Sequence, residues 1–78
     1  MPTERMTLVD VRRGMRGTIS SLPENSELRS QCIRLGLGIG SGFLCIERLP
    51  GGTIVVETNR QEIALGKHLA NAIGVELS

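Results

Sequence analysis

Glycine occupies every second position from Gly36 to Gly42, and the positions between them are mostly aliphatic. An amphipathic segment, residues 26–35, comes before this stretch, and an apolar run, residues 43–46, comes after it. A dinucleotide-binding loop has the opposite order, because its strand leads into a helix whose amides face the pyrophosphate. The order here predicts no phosphate site. Instead, we expect Gly36 to end a helix, and Gly40 and Gly42 to bend the chain into a strand.

The composition of the 78 residues allows one domain and argues against two classes of binding site. A chain of this length buries only about 60% of its unfolded surface, so its core must be compact. Phe43 is the only aromatic residue, which argues against base-stacking nucleic-acid platforms and aromatic grooves for proline-rich peptides. The formal net charge of +1 gives no overall field that would attract nucleic acid or an anionic membrane.

The N-terminal segment and the cysteine spacing predict a cytoplasmic chain. Charged residues occur early, and the apolar region of a secretory signal is missing from the first residues. No run approaches the roughly 20 apolar residues that cross a bilayer. We expect a single domain over residues 1–78, with a loose end over 1–5, no direct membrane insertion and both thiols reduced.

Turn-forming residues divide the chain into short strands and two helices. Residues 50–52, Pro-Gly-Gly, precede a run of β-branched residues and predict a hairpin. Residues 7–14 predict a turn or one-turn helix, from which Leu8 and Val11 close one end of the core. Strands are predicted over 17–22, 42–49, 53–58, 62–65 and 74–77, and helices over 26–35 and 67–72. This pattern predicts a mainly β fold with short helices, a small and strongly bent barrel with an inserted helix.

The predicted core is aliphatic rather than aromatic. Leu28, Cys32 and Leu35 recur at i, i+4 and i+7 along the first helix, which begins at a cap formed by Asn25 or Ser26. We expect the core to contain Leu28, Cys32, Leu35, Phe43, Cys45, Ile54, Val56 and Ile73.

The second strand carries apolar residues on both of its faces. Side chains alternate across a strand, so Phe43 and Cys45 point to one side, and Leu44 and Ile46 point to the other. A small barrel has one interior, so one of the two pairs should face outward. An exposed pair Leu44 and Ile46 would mark a contact with another protein. The alternative is that the first helix or the terminal segment covers this pair.

Arg12, Arg13 and Arg16 form a short basic cluster before the first strand. A solvated charged face is the ordinary explanation of such a cluster. The alternative is docking onto an acidic partner surface, and self-association is also left open.

Cys32, Cys45 and His68 are the weak candidates for a transition-metal site that would hold Fe²⁺ or Zn²⁺. No two of them have metal-ligand spacing in the sequence. Both cysteines lie in apolar patterns, where a thiol usually serves as a small core residue. One histidine and two cysteines that are expected to be buried provide few groups for nucleophilic catalysis. We therefore expect no enzymatic activity, and no cofactor is firmly implied.

The order and spacing of these elements resemble the FeoA family, the small cytosolic component of bacterial ferrous iron uptake systems. The resemblance extends over nearly the whole chain, from Thr7 to about Glu76. The residues that carry it are, in chain order, Thr7-Leu8-x-Asp10-x-x-x-Gly14, Gly17-x-Ile19, Leu28 to Leu35 followed by Gly36-Leu37 and Gly40, Pro50-Gly51-Gly52, Ile54-Val55-Val56, Ile63-Ala64-Leu65 and Ala70 to Val75.

This resemblance implies an SH3-like β-barrel with an inserted helix and a function without catalysis. Such proteins support iron transport by contacting the cytoplasmic part of the membrane permease FeoB, which carries a GTP-hydrolysing domain. The resemblance therefore implies a cytoplasmic protein that reaches the inner face of the membrane through its partner. For that contact the residue patterns favour Leu44, Ile46, Arg12, Arg13 and Arg16.

A second function follows from the same resemblance. Similar domains occur at the C-terminus of iron-dependent repressors of the DtxR type, which implies a metal-sensing or metal-binding regulatory domain as the alternative. Cys32, Cys45 or His68 would then bind the metal.

This chain departs from the family pattern at four positions. The family often has Arg where Gln31 stands, Pro where Ile39 stands, Gly where Arg60 stands and Arg where Gly66 stands. A family contact that depends on charge at the first or last of these positions is not expected here.

Overall fold

The computed structural model describes residues 6–78 and shows the mainly β architecture with short helices that the sequence predicts. The predicted loose end, residues 1–5, lies outside the described residues. Each predicted strand and helix is present, with ends that differ by at most two residues from the predicted ones. After a 3₁₀ turn over Leu8–Asp10, the strands are β1 (Arg16–Ser21), β2 (Gly42–Arg48), β3 (Ile54–Thr58), β4 (Gln61–Leu65) and β5 (Gly74–Leu77), and the helices are α1 (Ser26–Arg34) and α2 (Lys67–Ala70).

The strands form one antiparallel sheet in the order β4-β3-β2-β1-β5. A two-residue turn, Asn59 and Arg60, joins β3 to β4, and both residues have positive φ, 52° and 66°. This is the backbone of a type I′ turn, whose twist matches that of the flanking strands. The strand pairings among residues 6–78 do not join β4 to β5. Closure of the sheet into the predicted barrel therefore stays a prediction.

The core lies on one side of the sheet, where α1 contributes Cys32. Of the predicted core residues, Leu28 and Leu35 are half-buried and pack against the core, and the others are buried. Leu8 and Val11 are also fully buried, which confirms their predicted place in the core. The buried cluster comprises Leu8, Val11, Ile19, Cys32, Leu37, Phe43, Cys45, Ile54, Val56, Leu65, Leu69, Ala70, Ile73 and Val75.

The ends of α1 are set by side-chain and backbone hydrogen bonds. Asn25 is the N-cap, because its Oδ1 accepts from the backbone N–H of Leu28 at 3.1 Å. At the other end Gly36 has φ of 86°, and the N–H of Leu37 donates to the carbonyl of Cys32 at 2.9 Å. This arrangement is a Schellman motif with its usual apolar contact, since Leu37 and Cys32 both belong to the core. The prediction that Gly36 ends the helix is confirmed.

The rest of the glycine stretch turns the chain into β2. Gly40 has φ of 91°, its N–H donates to the carbonyl of Ile19 at 2.8 Å, and the N–H of Ser41 donates to the carbonyl of Gly38 at 3.0 Å. This is a tight turn that only a residue tolerant of positive φ can form at its third position. Gly42 has no positive φ and is simply the first residue of β2.

A close approach between β1 and β5 fixes the position of Gly17. Gly17 is buried and lies across from Phe43 of β2. A Cβ atom at this position would overlap the backbone carbonyl of Glu76 in β5, so only glycine fits without a shift of the backbone. On the other side of β1, the ladder with β2 places the preceding residue, Arg16, across from Leu44.

Candidate docking surface on the outer face of the sheet

The two faces of β2 differ in burial. Phe43 and Cys45 are 4% and 1% exposed and point into the core, whereas Leu44 and Ile46 on the opposite side are half-buried. We call the side of the sheet that carries Leu44 and Ile46 the outer face. Because Cys32 of α1 packs in the same cluster as Phe43 and Cys45, α1 covers the inner face and not the outer one. The expectation that one pair faces away from the core is met, although this pair is half-buried rather than fully exposed.

The strand register places charged residues on both sides of Leu44. Leu44 lies across from Arg16 of β1 and from Glu57 of β3, and Glu57 in turn lies across from Glu62 of β4. The three charged residues are exposed. We call these four residues, in the order Arg16, Leu44, Glu57 and Glu62, the cross-strand row. The row has an apolar centre, a cation on one side and carboxylates on the other.

An irregular step in the β2–β3 ladder affects the position of Ile46. Cys45 pairs with Val56, but Glu47 rather than Ile46 pairs with Val55, so one extra residue of β2 lies opposite β3. A bulge of this kind bends a strand and changes the direction of a side chain. Ile46 is the extra residue at this bend and is not among the half-buried side chains of residues 6–78 that pack against the core, whereas Glu47, opposite Val55, lies on the same side as Leu44.

The predicted basic cluster lies at the β1 side of this region. The turn that contains Arg12 and Arg13 leads into Gly14, whose N–H donates to the carbonyl of Cys45 at 2.8 Å. Arg12, Arg13 and Arg16 are all exposed. The structure therefore brings Arg16 directly beside Leu44, and it places the backbone of the Arg12–Arg13 turn next to β2 between Leu44 and Ile46.

An open groove of about 430 Å³ runs along the outer face beside the cross-strand row. Arg16, Leu44 and Glu57 line it together with the β3–β4 turn, residues 59–60. The turn is held in place by Asn59, whose Nδ2 donates to the carbonyl of Gly36 at 3.0 Å. The groove gives a partner side chain a place next to both charges of the row.

Sequence reasoning did not identify Glu57 and Glu62 as part of this surface. A signal was available, because a two-residue turn at residues 59–60 sets Glu57 directly opposite Glu62. Ile33 and Ile39, which are 62% and 66% exposed, were also not singled out. They lie in α1 and in the glycine turn, outside the cross-strand row.

The candidate metal ligands have different environments. Cys32 and Cys45 are buried free thiols, and burial raises the pKa of each thiol above its ordinary value of 9.0. A neutral thiol is a poor metal ligand and a poor nucleophile. His68 is exposed on α2. Within residues 6–78, no three histidine, cysteine, aspartate or glutamate side chains come together in a group that could hold a metal ion. The prediction that both cysteines belong to the core is confirmed.

The comparisons with known proteins agree on the fold. The family model of the FeoA domain matches residues 6–77. The chain is similar to a crystal structure of an iron uptake regulatory protein (FeoA), with 23% identity, a TM-score of 0.88, and coverage of 96% of this chain and 100% of that one. It is also similar to iron(II) transport protein A from Clostridium thermocellum, with 27% identity, a TM-score of 0.85, and coverage of 92% of this chain and 45% of that one.

A transcriptional repressor shares the same fold. The chain matches a manganese-dependent transcriptional repressor with 22% identity and a TM-score of 0.90, covering 99% of this chain and 43% of that one. The described residues therefore adopt the SH3-like fold of FeoA proteins and of repressor C-terminal domains. A comparison with curated proteins finds no match.

The family assignment gives the function in outline. FeoA domains are linked to ferrous iron transport, and FeoA proteins are known as non-enzymatic accessory proteins. None of the helices within residues 6–78 has the length and apolar character that a membrane crossing needs. With the family model matching residues 6–77, this chain belongs to the FeoA family.

Proposed function

We propose that this chain is a non-enzymatic accessory protein of ferrous iron uptake that binds the cytoplasmic part of a FeoB-type permease through the outer face of its sheet. Family membership and the link of FeoA domains to ferrous iron transport support a role in ferrous iron uptake. The observation that carries the mode of action is the half-buried pair Leu44 and Ile46, which has exposed arginines beside it. In this proposal the protein works in the cytoplasm, at the inner face of the membrane when the permease is bound.

The chemistry of the outer face suits contact with a protein. Protein interfaces combine an apolar centre with a polar rim, and arginine is enriched in them. Leu44 and Ile46 provide the apolar centre, and Arg12, Arg13 and Arg16 provide a basic rim on the β1 side. Such a rim increases the association rate with an acidic partner surface and favours one orientation of docking. The expected contact on the permease is an apolar patch bordered by carboxylates.

The side chains that could take part in catalysis have environments that favour binding as the function. Cys32 and Cys45, the thiol nucleophiles, are buried, and the raised pKa of each thiol keeps it protonated at neutral pH. His68 is exposed on a short helix. These environments favour a function by binding, and FeoA proteins are known as non-enzymatic accessory proteins.

Capture of a permease cytoplasmic domain by the immobilised chain tests the proposal. The double variant Leu44→Asp/Ile46→Asp places two charges at the centre of the outer face, so we expect it to lose capture. Ile33→Asp is the matched control, because Ile33 is an apolar residue that is 62% exposed on α1. Circular dichroism must show that both variants remain folded.

We expect the control to capture the domain as well as the unchanged chain does. Undiminished capture by the double variant would contradict docking through the outer face. Equal loss in both variants would contradict it as well, since Ile33 lies away from that face.

The metal-sensing alternative needs a site that a metal ion can reach. Its support is the similarity to a manganese-dependent repressor, which at 22% identity concerns the fold alone. Burial of Cys32 and Cys45 favours the docking function instead. Titration calorimetry with Fe(II) and with Zn(II) under reducing conditions distinguishes the two, because tight binding of either ion would favour the metal-sensing function.

A further inference from the structure

The cross-strand row is antisymmetric in charge about Leu44. Arg16 lies one strand away on one side, and Glu57 lies one strand away on the other. Neighbouring strands are about 4.8 Å apart, so the guanidinium and the carboxylate flank the same apolar side chain at equal strand spacing. A surface with this arrangement is complementary to itself.

A two-fold axis that runs along β2, in the plane of the contact, brings two such faces together. Rotation by a half turn about this axis exchanges the two sides of β2, so Arg16 of each copy comes to lie over Glu57 of the other. Leu44, Ile46 and Glu47 lie on the axis strand, and each therefore meets its own equivalent in the second copy. The two Glu47 carboxylates repel each other, which weakens the contact. A contact of this type uses the same patch on both copies and closes after two.

Two charged side chains of the row, those of Arg16 and Glu57, are unpaired in the part of the chain that the structure describes. Within residues 6–78, the side chains of Arg16 and Glu57 make no hydrogen bond or ion pair, and both are exposed. Glu57 also lies directly across from Glu62, and like charges in a cross-strand pair destabilise a sheet. A guanidinium from another molecule, placed over Glu57, would relieve this repulsion.

We propose that a second copy of this chain binds the outer face, so that two copies form a two-fold dimer through Arg16, Leu44, Ile46 and Glu57. The apolar part of the contact is small, because Leu44 and Ile46 are already half-buried in each copy. The dimer is therefore weak, and salt weakens it further by screening the Arg16–Glu57 pairs.

The dimer covers the surface assigned above to the permease. Because both contacts use the same surface, the dimer must dissociate before the permease binds. This consequence rests on the proposed function. Self-association itself does not rest on it, because it is inferred from the charges and the apolar centre of the outer face.

Sedimentation equilibrium of the full chain, at concentrations up to about 1 mM, tests the dimer with two charge reversals. Arg16→Glu leaves carboxylates on both sides of Leu44, and Glu57→Arg leaves guanidinium groups on both sides. Each variant alone would bring like charges together across the two-fold axis. We expect the dissociation constant to rise at least about tenfold for each, and an equimolar mixture of the two to dimerise again because every charge then meets its opposite.

Arg29→Glu and Glu27→Arg are the matched controls, because both residues are exposed on α1 and lie outside the row. They should dimerise as the unchanged chain does. A chain that stays at its 8.4 kDa monomer mass over the whole range would overturn the proposal. The proposal would also be overturned if the two charge-reversal variants dimerised as the unchanged chain does, or if their equimolar mixture failed to associate. An unchanged chain that stays monomeric but captures the permease domain would overturn the dimer alone, whereas an unchanged chain that dimerises but does not capture the domain would overturn the permease contact alone.

Discussion

The inner and outer faces of the sheet are both apolar at β2, yet they differ in burial and in their neighbours across the sheet. On the inner face Phe43 and Cys45 are 4% and 1% exposed and belong to one continuous core. On the outer face Leu44 and Ile46 are half-buried, and Leu44 has charged neighbours on both β1 and β3. The comparison teaches that the neighbours across the sheet, and not the strand's own composition, decide whether an apolar residue stabilises the fold or remains available for a partner.

The largest difference in stability between the two faces is expected from substitutions at two adjacent residues of β3. Val56 is fully buried on the inner face, and Val55 is half-buried on the other side. Val56→Ala should reduce the free energy of unfolding by about 2–3 kcal/mol through lost burial and the cavity left behind. Val55→Ala is the matched control and should reduce it by less than about 1 kcal/mol. Urea denaturation measures both, and equal losses would mean that the two faces do not differ in packing.

A smaller effect on stability is expected from the ionisation of the two thiols on the inner face. Burial raises the pKa of Cys32 and of Cys45 above 9.0, so the folded chain keeps its thiol protons at a pH where the unfolded chain loses them. Their contribution to stability is complete below pH 9.0 and is lost as the pH rises towards the folded-state pKa. The urea midpoint should therefore be steady below pH 9.0 and fall as the pH rises above it. The urea midpoint of the Cys45→Ala variant should fall less steeply with pH. A pH dependence identical to that of the unchanged chain would contradict the raised pKa of Cys45.

The smallest effect on stability is expected from the basic rim of the outer face. Arg12 and Arg13 are exposed, so Arg12→Ala/Arg13→Ala should change the free energy of unfolding by no more than about 0.5 kcal/mol. The same change should slow association with the permease domain several-fold at low salt, and less at high salt. Stopped-flow mixing measures the rate. An unchanged rate would remove these two arginines from the docking surface.

Local rules predict the elements of this fold, because each is controlled by residues close in sequence. The period of Leu28, Cys32 and Leu35 predicts α1, and Gly36 predicts its end, because the Schellman motif depends on the conformation of that one residue. The predicted second helix, residues 67–72, is too long, since α2 ends at Ala70. Propensity alone does not show where a short helix stops.

The candidate surface could be predicted only in part, because it depends on register between strands. Alternation along β2 separates Leu44 from Phe43, but it does not show which side α1 covers. The pairing of Leu44 with Arg16 and with Glu57 joins residues far apart in sequence. The registers of β2 with β1 and with β3 are long-range, and no local pattern reveals them. The charge antisymmetry of the cross-strand row became visible only in the folded sheet.

Backbone amide shifts of the labelled chain, recorded by NMR as a permease cytoplasmic domain is added, test the central claim most directly. The protein concentration is kept where the chain is monomeric, so that self-association does not contribute. Docking through the outer face predicts the largest changes at Arg16, Leu44 and Ile46, with little change in α1. Changes confined to α1 around Ile33, or no changes at all, would contradict it.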